Sequence, residues 1–149
     1  MTALTFLPGT AARSWRVELP VGLELMNSND RPTIPQRARL TRELRQAGRA
    51  AALRARVPRL ERAYITCYLR PVDRRRRDPG NWYPSAKAAL DGVVDAGILA
   101  DDDATRVLGP DMRLGDVIKP GPQLVLVVTD LAQMDSGHIS LLDPLGAAA

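Results

Sequence analysis

The chain has 149 residues and a formal net charge of +4, with 45% hydrophobic and 26% charged side chains. This length and composition are typical of one globular domain, and they exclude a multidomain motor or polymerase and a mostly disordered chain. The longest aliphatic run, residues 124–128, is far shorter than the roughly 20 apolar residues that cross a bilayer, and the N-terminus has no charged region before an apolar one. We therefore expect a soluble cytoplasmic protein without a membrane partner.

Regular structure is expected to begin at Ser14, after a flexible N-terminal arm, residues 1–13, that has no hydrophobic period. From there Trp15, Val17 and Leu19 alternate with charged residues, which is the period-2 pattern of a half-buried strand. A polar Asn-Ser-Asn-Asp-Arg-Pro segment follows. Its short side chains are turn formers, but together with the arginine they can also bind phosphate oxygens, and the sequence leaves both interpretations open.

Between Pro35 and Pro58 the apolar residues recur at helical spacing and predict an amphipathic helix. Its other face carries an arginine stripe, either a solvated surface or a DNA-binding one, formed by Arg42, Arg45, Arg49 and Arg56. Residues 63–69 alternate again and predict a second strand that ends at Pro71. Cys67 is the single cysteine, so it forms no intrachain disulfide and is expected to pack as a small hydrophobe.

The second half of the chain predicts another helix and two further strands. Apolar residues from Pro84 to Ala96 fit an amphipathic helix, and Gly97 supplies its stop. A short strand is expected at residues 106–108. Residues 123–129 form an unbroken apolar run and predict a strand that is buried on both faces.

The order β-α-β-α-β-β predicts a small single-domain α/β (α+β) fold with a mixed sheet and two main helices, over residues 14–131. The tail, residues 132–149, has no strong pattern and is expected to be loosely ordered. His138, the only histidine, lies in this tail. Its position leaves no Ser-His-Asp or Cys-His unit and no zinc site, so any chemistry must come from carboxylates, arginine, lysine or a metal.

Opposite charges are segregated along the chain. Up to Arg77 there are 17 arginines against six acidic residues, a net charge of +11, and the remaining residues carry −7. Guanidinium groups favour binding of a polyanion, and the carboxylates can hold a cation against it. An arginine bias from a GC-rich genome is the alternative explanation.

The most informative stretch is residues 73–81, Asp-Arg-Arg-Arg-Arg-Asp-Pro-Gly-Asn. Four consecutive arginines repel one another unless a polyanion or acidic neighbours neutralise them, and guanidinium forks match phosphate oxygens. The run is therefore either a phosphate-binding segment or a solvated charged turn.

Carboxylates and one lysine surround the second helix: Asp78, Lys87, Asp91, Asp95, Asp101, Asp102 and Asp103. Lys87 and Asp91 share one helix face through their i, i+4 spacing, and a chain reversal at Gly97 would bring the later aspartates back to that face. Asp78 can join them only through tertiary folding or a second subunit.

Clustered carboxylates repel one another, but a hard divalent ion such as Mg²⁺ stabilises them. Such an ion could activate water and neutralise the charge that develops on a phosphate, which favours a metal-dependent phosphoryl transfer. Asp95 and Asp103 are expected to be a helix-surface residue and a loop residue.

With these motifs the sequence resembles the RusA-like family of Holliday junction resolvases, particularly members from phages and prophages of high-GC bacteria, over roughly residues 14–130. The resemblance is carried by residues 73–78, Asn81, Lys87, Asp91, Gly97, Asp101 and Asp102, and more weakly by Leu19, Pro20 and residues 28–31. It implies a small α/β subunit that forms a homodimer, binds four-way DNA junctions and, with Mg²⁺, makes paired nicks in strands of like polarity.

The resemblance also implies roles for single residues. Asp78 and Asp102 would be metal-binding catalytic carboxylates, and Lys87 a catalytic or phosphate-positioning cation. The residues expected to contact DNA are Ser28, Asn29, Asp30, Arg31, Arg74, Arg75, Arg76, Arg77 and Asn81.

One departure from the family is at Gly80, immediately before Asn81. Better-known members carry an acidic residue at this position. The interval from Asn81 to Lys87 is also longer. Asp91, and after it Asp101, are the candidates to complete a site for Mg²⁺, for which Mn²⁺ could substitute.

The predicted function is a Mg²⁺-dependent, structure-selective endodeoxyribonuclease that resolves Holliday junctions or other branched DNA without a nucleotide cofactor. The first alternative is a branched-DNA-binding protein that does not cleave. The second is a protein-binding adaptor that uses the arginine-faced helix.

Overall fold

A computed structural model describes residues 13–133 and 136–146 of the chain. The predicted N-terminal arm lies outside these residues, except for its last member. The main elements are strand β1 (Ser14–Glu18), helix α1 (Ile34–Arg54), strand β2 (Ala63–Arg70), helix α2 (Tyr83–Asp95), strand β3 (Val107–Leu114), strand β4 (Gln123–Asp130) and helix α3 (Ser136–Leu142). Short 3-10 helices at Pro79–Trp82 and Leu131–Gln133 precede α2 and follow β4. The predicted α+β fold with two main helices is confirmed.

The four strands form one mixed sheet in the order β1-β4-β2-β3. Strand β4 pairs antiparallel with both β1 and β2, whereas β2 and β3 are parallel. A parallel pair requires a crossover connection, and α2 supplies it. Helix α2 therefore starts beyond the end of β2 and ends before the start of β3, and most of the candidate site residues lie along this crossover.

One face of the sheet packs against α1 and α2. Alternate strand residues form the core with apolar residues of the two helices, among them Val17, Leu44, Ile65, Leu90, Leu126 and Val128. Strand β4 is buried along its whole length, as its apolar run predicted. Cys67 is fully buried, and burial raises the pKa of its thiol to about 12, which confirms that it packs as a small hydrophobe.

Helices α1 and α2 lie backbone against backbone at two glycines. A Cβ atom added at Gly48 would overlap the carbonyl oxygen of Ala89, and one added at Gly92 would overlap the carbonyl oxygen of Arg45. Neither overlap can be relieved by a side-chain rotation, because backbone atoms are involved. The contact holds the arginine-bearing helix beside the helix that carries the candidate catalytic residues.

Strand β3 is longer than the short strand expected at residues 106–108, because it continues past Gly109 and Pro110 to Leu114. Its pairing with β2 shifts register between Tyr64 and Thr66, which accommodates the Gly-Pro pair. Proline is tolerated here because β3 is an edge strand of the sheet.

Helix α3 lies in the tail, where no element was expected. Ile139 and Leu142 pack against Tyr64 and Leu131 on the second face of the sheet. A helix of seven residues has too few turns for a clear apolar period, so this tertiary contact is not visible in the sequence. Within the described residues, no helix combines the length and apolar composition of a membrane span.

Candidate functional site

Lys87 lies between two carboxylates on the open side of α2. Its Nζ donates to Oδ1 of Asp91 at 2.8 Å and also contacts Oδ2 of Asp102 in a shorter ion pair. The Lys87 side chain is 41% exposed, so a ligand can reach it from solvent. Asp101 joins the group because its Oδ1 accepts the backbone N–H of Asp102 at 2.7 Å. The structure thus brings together four of the predicted site residues, called the Lys87 group below.

The chain reversal after α2 makes this group possible. Gly97 has a φ of +84°, a left-handed conformation that glycine adopts without strain. Ile98 and Leu99 then enter the core, and the aspartates that follow return to the helix. The predicted reversal is confirmed.

The charges of the Lys87 group stabilise one another. The hydrogen bond from Lys87 holds the pKa of Asp102 below its usual range. Partial burial opposes ionisation of Lys87, but the hydrogen bonds to Asp102 and Asp91 outweigh it and raise the Lys87 pKa. At neutral pH the group therefore holds an ammonium between carboxylates.

Asp78 stands apart from this group. It precedes the 3-10 helix Pro79–Trp82, where its Oδ1 accepts the backbone N–H of Gly80 at 2.9 Å as a helix cap. In the described parts of the chain, no hydrogen bond or ion pair connects Asp78 with Lys87, and no three or more His, Cys, Asp or Glu side chains are grouped to hold a metal ion. The predicted metal ligands are therefore divided between the start of α2 and the Lys87 group.

The donor set of the Lys87 group suits Mg²⁺. Oxygens of Asp91 and Asp102 already converge on one cation, the Lys87 ammonium. Mg²⁺ is usually held through one or two carboxylates and keeps several waters. Asp91 and Asp102 could therefore hold it, with Asp101 adjacent.

Arg77 is the most buried residue of the arginine run. Its Nη1 donates to the carbonyl oxygens of Asp73 and Arg75 at 2.8 and 3.0 Å, and its Nη2 donates to Oδ1 of Asp73 at 2.8 Å. Only 14% of its side chain is exposed. Its hydrogen bond, helped by the backbone N–H and side chain of Arg75, lowers the pKa of Asp73 to about 2. Arg77 therefore holds the turn together.

The other three arginines of the run are exposed. Arg74 and Arg75 line, together with Arg77, an open cleft of about 380 Å³ whose opposite wall is residues 114–117. Arg75 also pairs with Asp73 at 3.1 Å. The run is thus a charged turn with an outward basic surface, so the two interpretations of the sequence are compatible.

The polar segment before α1 lies beside Asn81. The backbone N–H of Ser28 donates to the carbonyl oxygen of Asn81 at 2.7 Å. The segment itself is a turn, in which Asp30 Oδ2 accepts the N–H of Asn27 at 3.1 Å and Asn27 Oδ1 accepts the N–H of Asn29 at 2.8 Å. The turn interpretation is confirmed, and two segments predicted to contact DNA are in contact with each other.

Ser85 anchors this polar segment, and the sequence analysis missed it. Its fully buried Oγ accepts the backbone N–H of Met26 at 2.6 Å and donates to the Met26 carbonyl oxygen at 2.8 Å. The only signal in the sequence is a small polar residue among the apolar positions at the start of α2. Buried hydroxyls of this kind need partners, but the sequence does not show which partner.

Asp95 and Asp103 lie outside the Lys87 group, as expected. Asp103 Oδ1 accepts the backbone N–H of Thr105 at 2.9 Å in the loop before β3. Asp95 forms a two-point ion pair with Arg45 of α1, at 2.5 and 2.8 Å. This pair joins the two helices.

Arg45 is a second residue whose position the sequence analysis missed. Its hydrogen bond and ion pair with Asp95 raise the pKa of the guanidinium, and the charges of Asp91 and Asp102 add to that effect. The charge of Arg45 therefore interacts with the carboxylates of the Lys87 group. The hydrophobic pattern of α1 or of α2 alone does not reveal the pairing of Arg45 with Asp95, because the pairing depends on how the two helices pack.

The sequence matches no protein-family model, and a comparison with curated proteins gives no match either.

Proposed function

We propose that the protein is a Mg²⁺-dependent endodeoxyribonuclease that nicks four-way junctions and related branched DNA in the bacterial cytoplasm. The observation that carries the proposal is the Lys87 group, in which two carboxylates converge on one cation at an open surface. Carboxylate pairs of this kind, with a lysine alongside, suit the transfer of a phosphoryl group.

The chemistry is divided among the residues of the Lys87 group. Asp91 and Asp102 would hold Mg²⁺, which when bound supplies an activated water and neutralises charge on the scissile phosphate. A lysine ammonium stays protonated at neutral pH unless it is strongly desolvated, and the Lys87 side chain is 41% exposed. Lys87 therefore donates hydrogen bonds to a phosphate oxygen and positions it, rather than accepting a proton from water.

DNA binding is assigned to the basic surface at the start of α2. Arg74, Arg75 and Arg76 are exposed in the turn after β2, and the contact between Ser28 and Asn81 joins a second polar segment to the 3-10 helix that follows this turn. Contacts to phosphates position a nucleic acid without reading its sequence. Recognition would then depend on the branched shape of the DNA.

A homodimer fits this function. A two-fold dimer presents two equivalent sites, and a four-way junction offers two symmetry-related strands. Each subunit would cut one of them. Asp78 lies before the 3-10 helix and outside the Lys87 group. It would then face the DNA that is bound by its own subunit or by the partner subunit.

A junction-binding protein that does not cleave is the second candidate. Gly80 stands where an acid would be expected, and Asp78 makes no ion pair with the Lys87 group within the described residues. Both observations favour weakened metal binding. Neither affects the exposed arginines that would bind the DNA.

Incubation of a labelled four-way junction with the protein, in Mg²⁺ and in a chelator, separates the two candidates. The nuclease proposal predicts paired nicks in Mg²⁺ and binding alone in the chelator. Binding in both conditions with no nick would establish the second candidate.

A further inference from the structure

The second face of the sheet carries a cavity with two arginines that the proposed active site does not use. Helix α3 covers one end of this face at Tyr64. Toward the other end lies a cavity of about 240 Å³ that is lined by Arg16, Tyr68, Arg70, Gly115, Asp116 and Val125. Its lining holds two guanidinium groups and one carboxylate, and Arg16 also pairs with Glu18 of β1 at 3.6 Å.

Strand register places an aromatic ring among these arginines. Tyr68 pairs with Val125 on β4 and with Arg113 on β3, so their side chains share one face of the sheet. Arg70 follows Tyr68 at i+2 and lies on the same face, where its Nη1 donates to Gln123 Oε1 at 3.0 Å. Val125 provides an apolar floor. An aromatic ring on a sheet with arginines beside it is typical of surfaces that stack an unpaired base and hold its phosphates.

This cavity adjoins the arginine cleft. Gly115 and Asp116 line both of them, so residues 115–116 form the ridge between the two. A strand whose phosphates contact Arg74 and Arg75 can cross this ridge and reach Tyr68. The two arginine-lined cavities therefore meet at this ridge, which includes Asp116.

We propose that the Tyr68 cavity binds an unpaired nucleotide of a DNA strand whose backbone lies in the arginine cleft. A paired base is stacked on both sides and cannot lie on the ring, whereas an unpaired base can. Branch points and flaps supply such bases. The inference rests on the proposed function for the origin of the strand, but strand binding itself is measurable without cleavage.

The test is binding of a fluorescent oligothymidylate of about 12 nucleotides to the full chain in chelator, followed by anisotropy at several salt concentrations. Tyr68→Ala is expected to weaken binding on the order of tenfold, because one base loses its stacking partner. Tyr68→Phe keeps the ring and is expected to bind within about twofold of the wild type.

A second variant keeps the proposal testable if Tyr68→Ala does not fold. Arg16→Gln changes a 37% exposed side chain on the edge strand β1, and it is expected to reduce the log-log salt slope by about 0.7. The matched control is Arg59→Gln, an exposed arginine in the loop before β2, at the opposite end of that strand from Arg70. Its slope should equal that of the wild type.

Wild-type affinity in both Tyr68→Ala and Arg16→Gln would overturn the proposal and leave the cavity to a partner of another class, such as a protein. Competition by thymidine monophosphate as strong as that by the oligonucleotide would also overturn it, since a phosphate pocket alone would explain that result. If the junction is nicked but the oligonucleotide does not bind, only this inference fails. If the oligonucleotide binds through Tyr68 but no junction is nicked, only the proposed nuclease function fails.

Discussion

The backbone N–H of Ser28 donates to the carbonyl oxygen of Asn81 across 2.7 Å, at the start of the crossover helix. Two segments that are far apart in the chain therefore form one surface. Ser85 holds the same two segments together from the core side, through its two hydrogen bonds with Met26. The polar segment is thereby joined to the 3-10 helix that follows the arginine turn.

The exposed arginines are expected to act as phosphate contacts. Arg74→Gln and Arg76→Gln should each weaken binding to junctions of different sequence about equally, and each should reduce the log-log salt slope by about one unit. Binding isotherms at several salt concentrations measure both effects. Unchanged affinity and slope in both variants would mean that the exposed part of the run is only a solvated turn.

Arg77 is expected to stabilise the turn and to lower the pH at which the Asp73 carboxyl is protonated. Because it lowers the pKa of Asp73 to about 2, the stabilisation from this pair is complete above the ordinary carboxyl pKa of 3.8 and is lost as the pH falls through about 2. In Arg77→Gln the Asp73 carboxyl should titrate closer to 3.8, as followed by carboxyl carbon NMR. Arg76→Gln is the control and should leave that titration unchanged. A wild-type Asp73 that titrates at its ordinary pKa would contradict the turn geometry.

The helix contact at Gly92 should be sensitive to one added methyl group. Gly92→Ala places a Cβ against the carbonyl oxygen of Arg45, so we expect a loss of about 1–3 kcal/mol in the free energy of unfolding, measured by urea denaturation. Ala50→Ser, an exposed position on α1, serves as the control and should cost less than about 0.5 kcal/mol. An equally stable Gly92→Ala variant would show that the helices lie farther apart.

Several features of this architecture could be predicted from the sequence, because they are local. Period-2 alternation around Val17 and the i, i+4 spacing of Lys87 and Asp91 depend only on near neighbours. The turn at Gly97 belongs to the same class, since a glycine after an amphipathic segment is a helix stop. These signals were sufficient to place Asp102 near Lys87.

The remaining features depend on which elements pack together. The pair of Arg45 with Asp95 requires the close crossing of α1 and α2, and that crossing follows from Gly48 and Gly92, which the sequence shows only as two small residues in two helices. The continuation of β3 past Pro110 likewise needs the register shift on its partner strand. Such tertiary relations leave no period in either segment.

A substitution at Gly80 offers a gain-of-function test of whether the region around Asp78 takes part in metal binding. A Cβ at this position would lie 3.2 Å from Asp78 Oδ1, so the carboxylate of Gly80→Asp would stand beside that of Asp78. We expect the added acid to raise the nicking rate at limiting Mg²⁺, because two carboxylates together bind the ion more tightly than one. Gly80→Asn has the same size without the charge and should not raise the rate. Equal rates in the two variants would show that an acid beside Asp78 adds nothing to metal binding, which would leave that role to Asp91 and Asp102.

The acids of the Lys87 group can be compared one at a time. Asp91→Asn should reduce nicking if Asp91 completes the metal site in place of the acid missing at Gly80. Rates are measured by gel separation of the nicked strands at saturating Mg²⁺. Full activity in Asp91→Asn would transfer that role to Asp101, which Asp101→Asn then tests.

The most direct test of the account is the nicking of a labelled four-way junction in Mg²⁺ by the wild type, Asp102→Asn and Asp103→Asn. Asp103 is the matched control, because it neighbours Asp102 but caps the loop at Thr105. We predict that Asp102→Asn abolishes nicking and binds the junction as tightly as the wild type or slightly more tightly, since it loses a negative metal ligand and no DNA contact, while Asp103→Asn cuts normally. Wild-type nicking rates in Asp102→Asn would contradict the account.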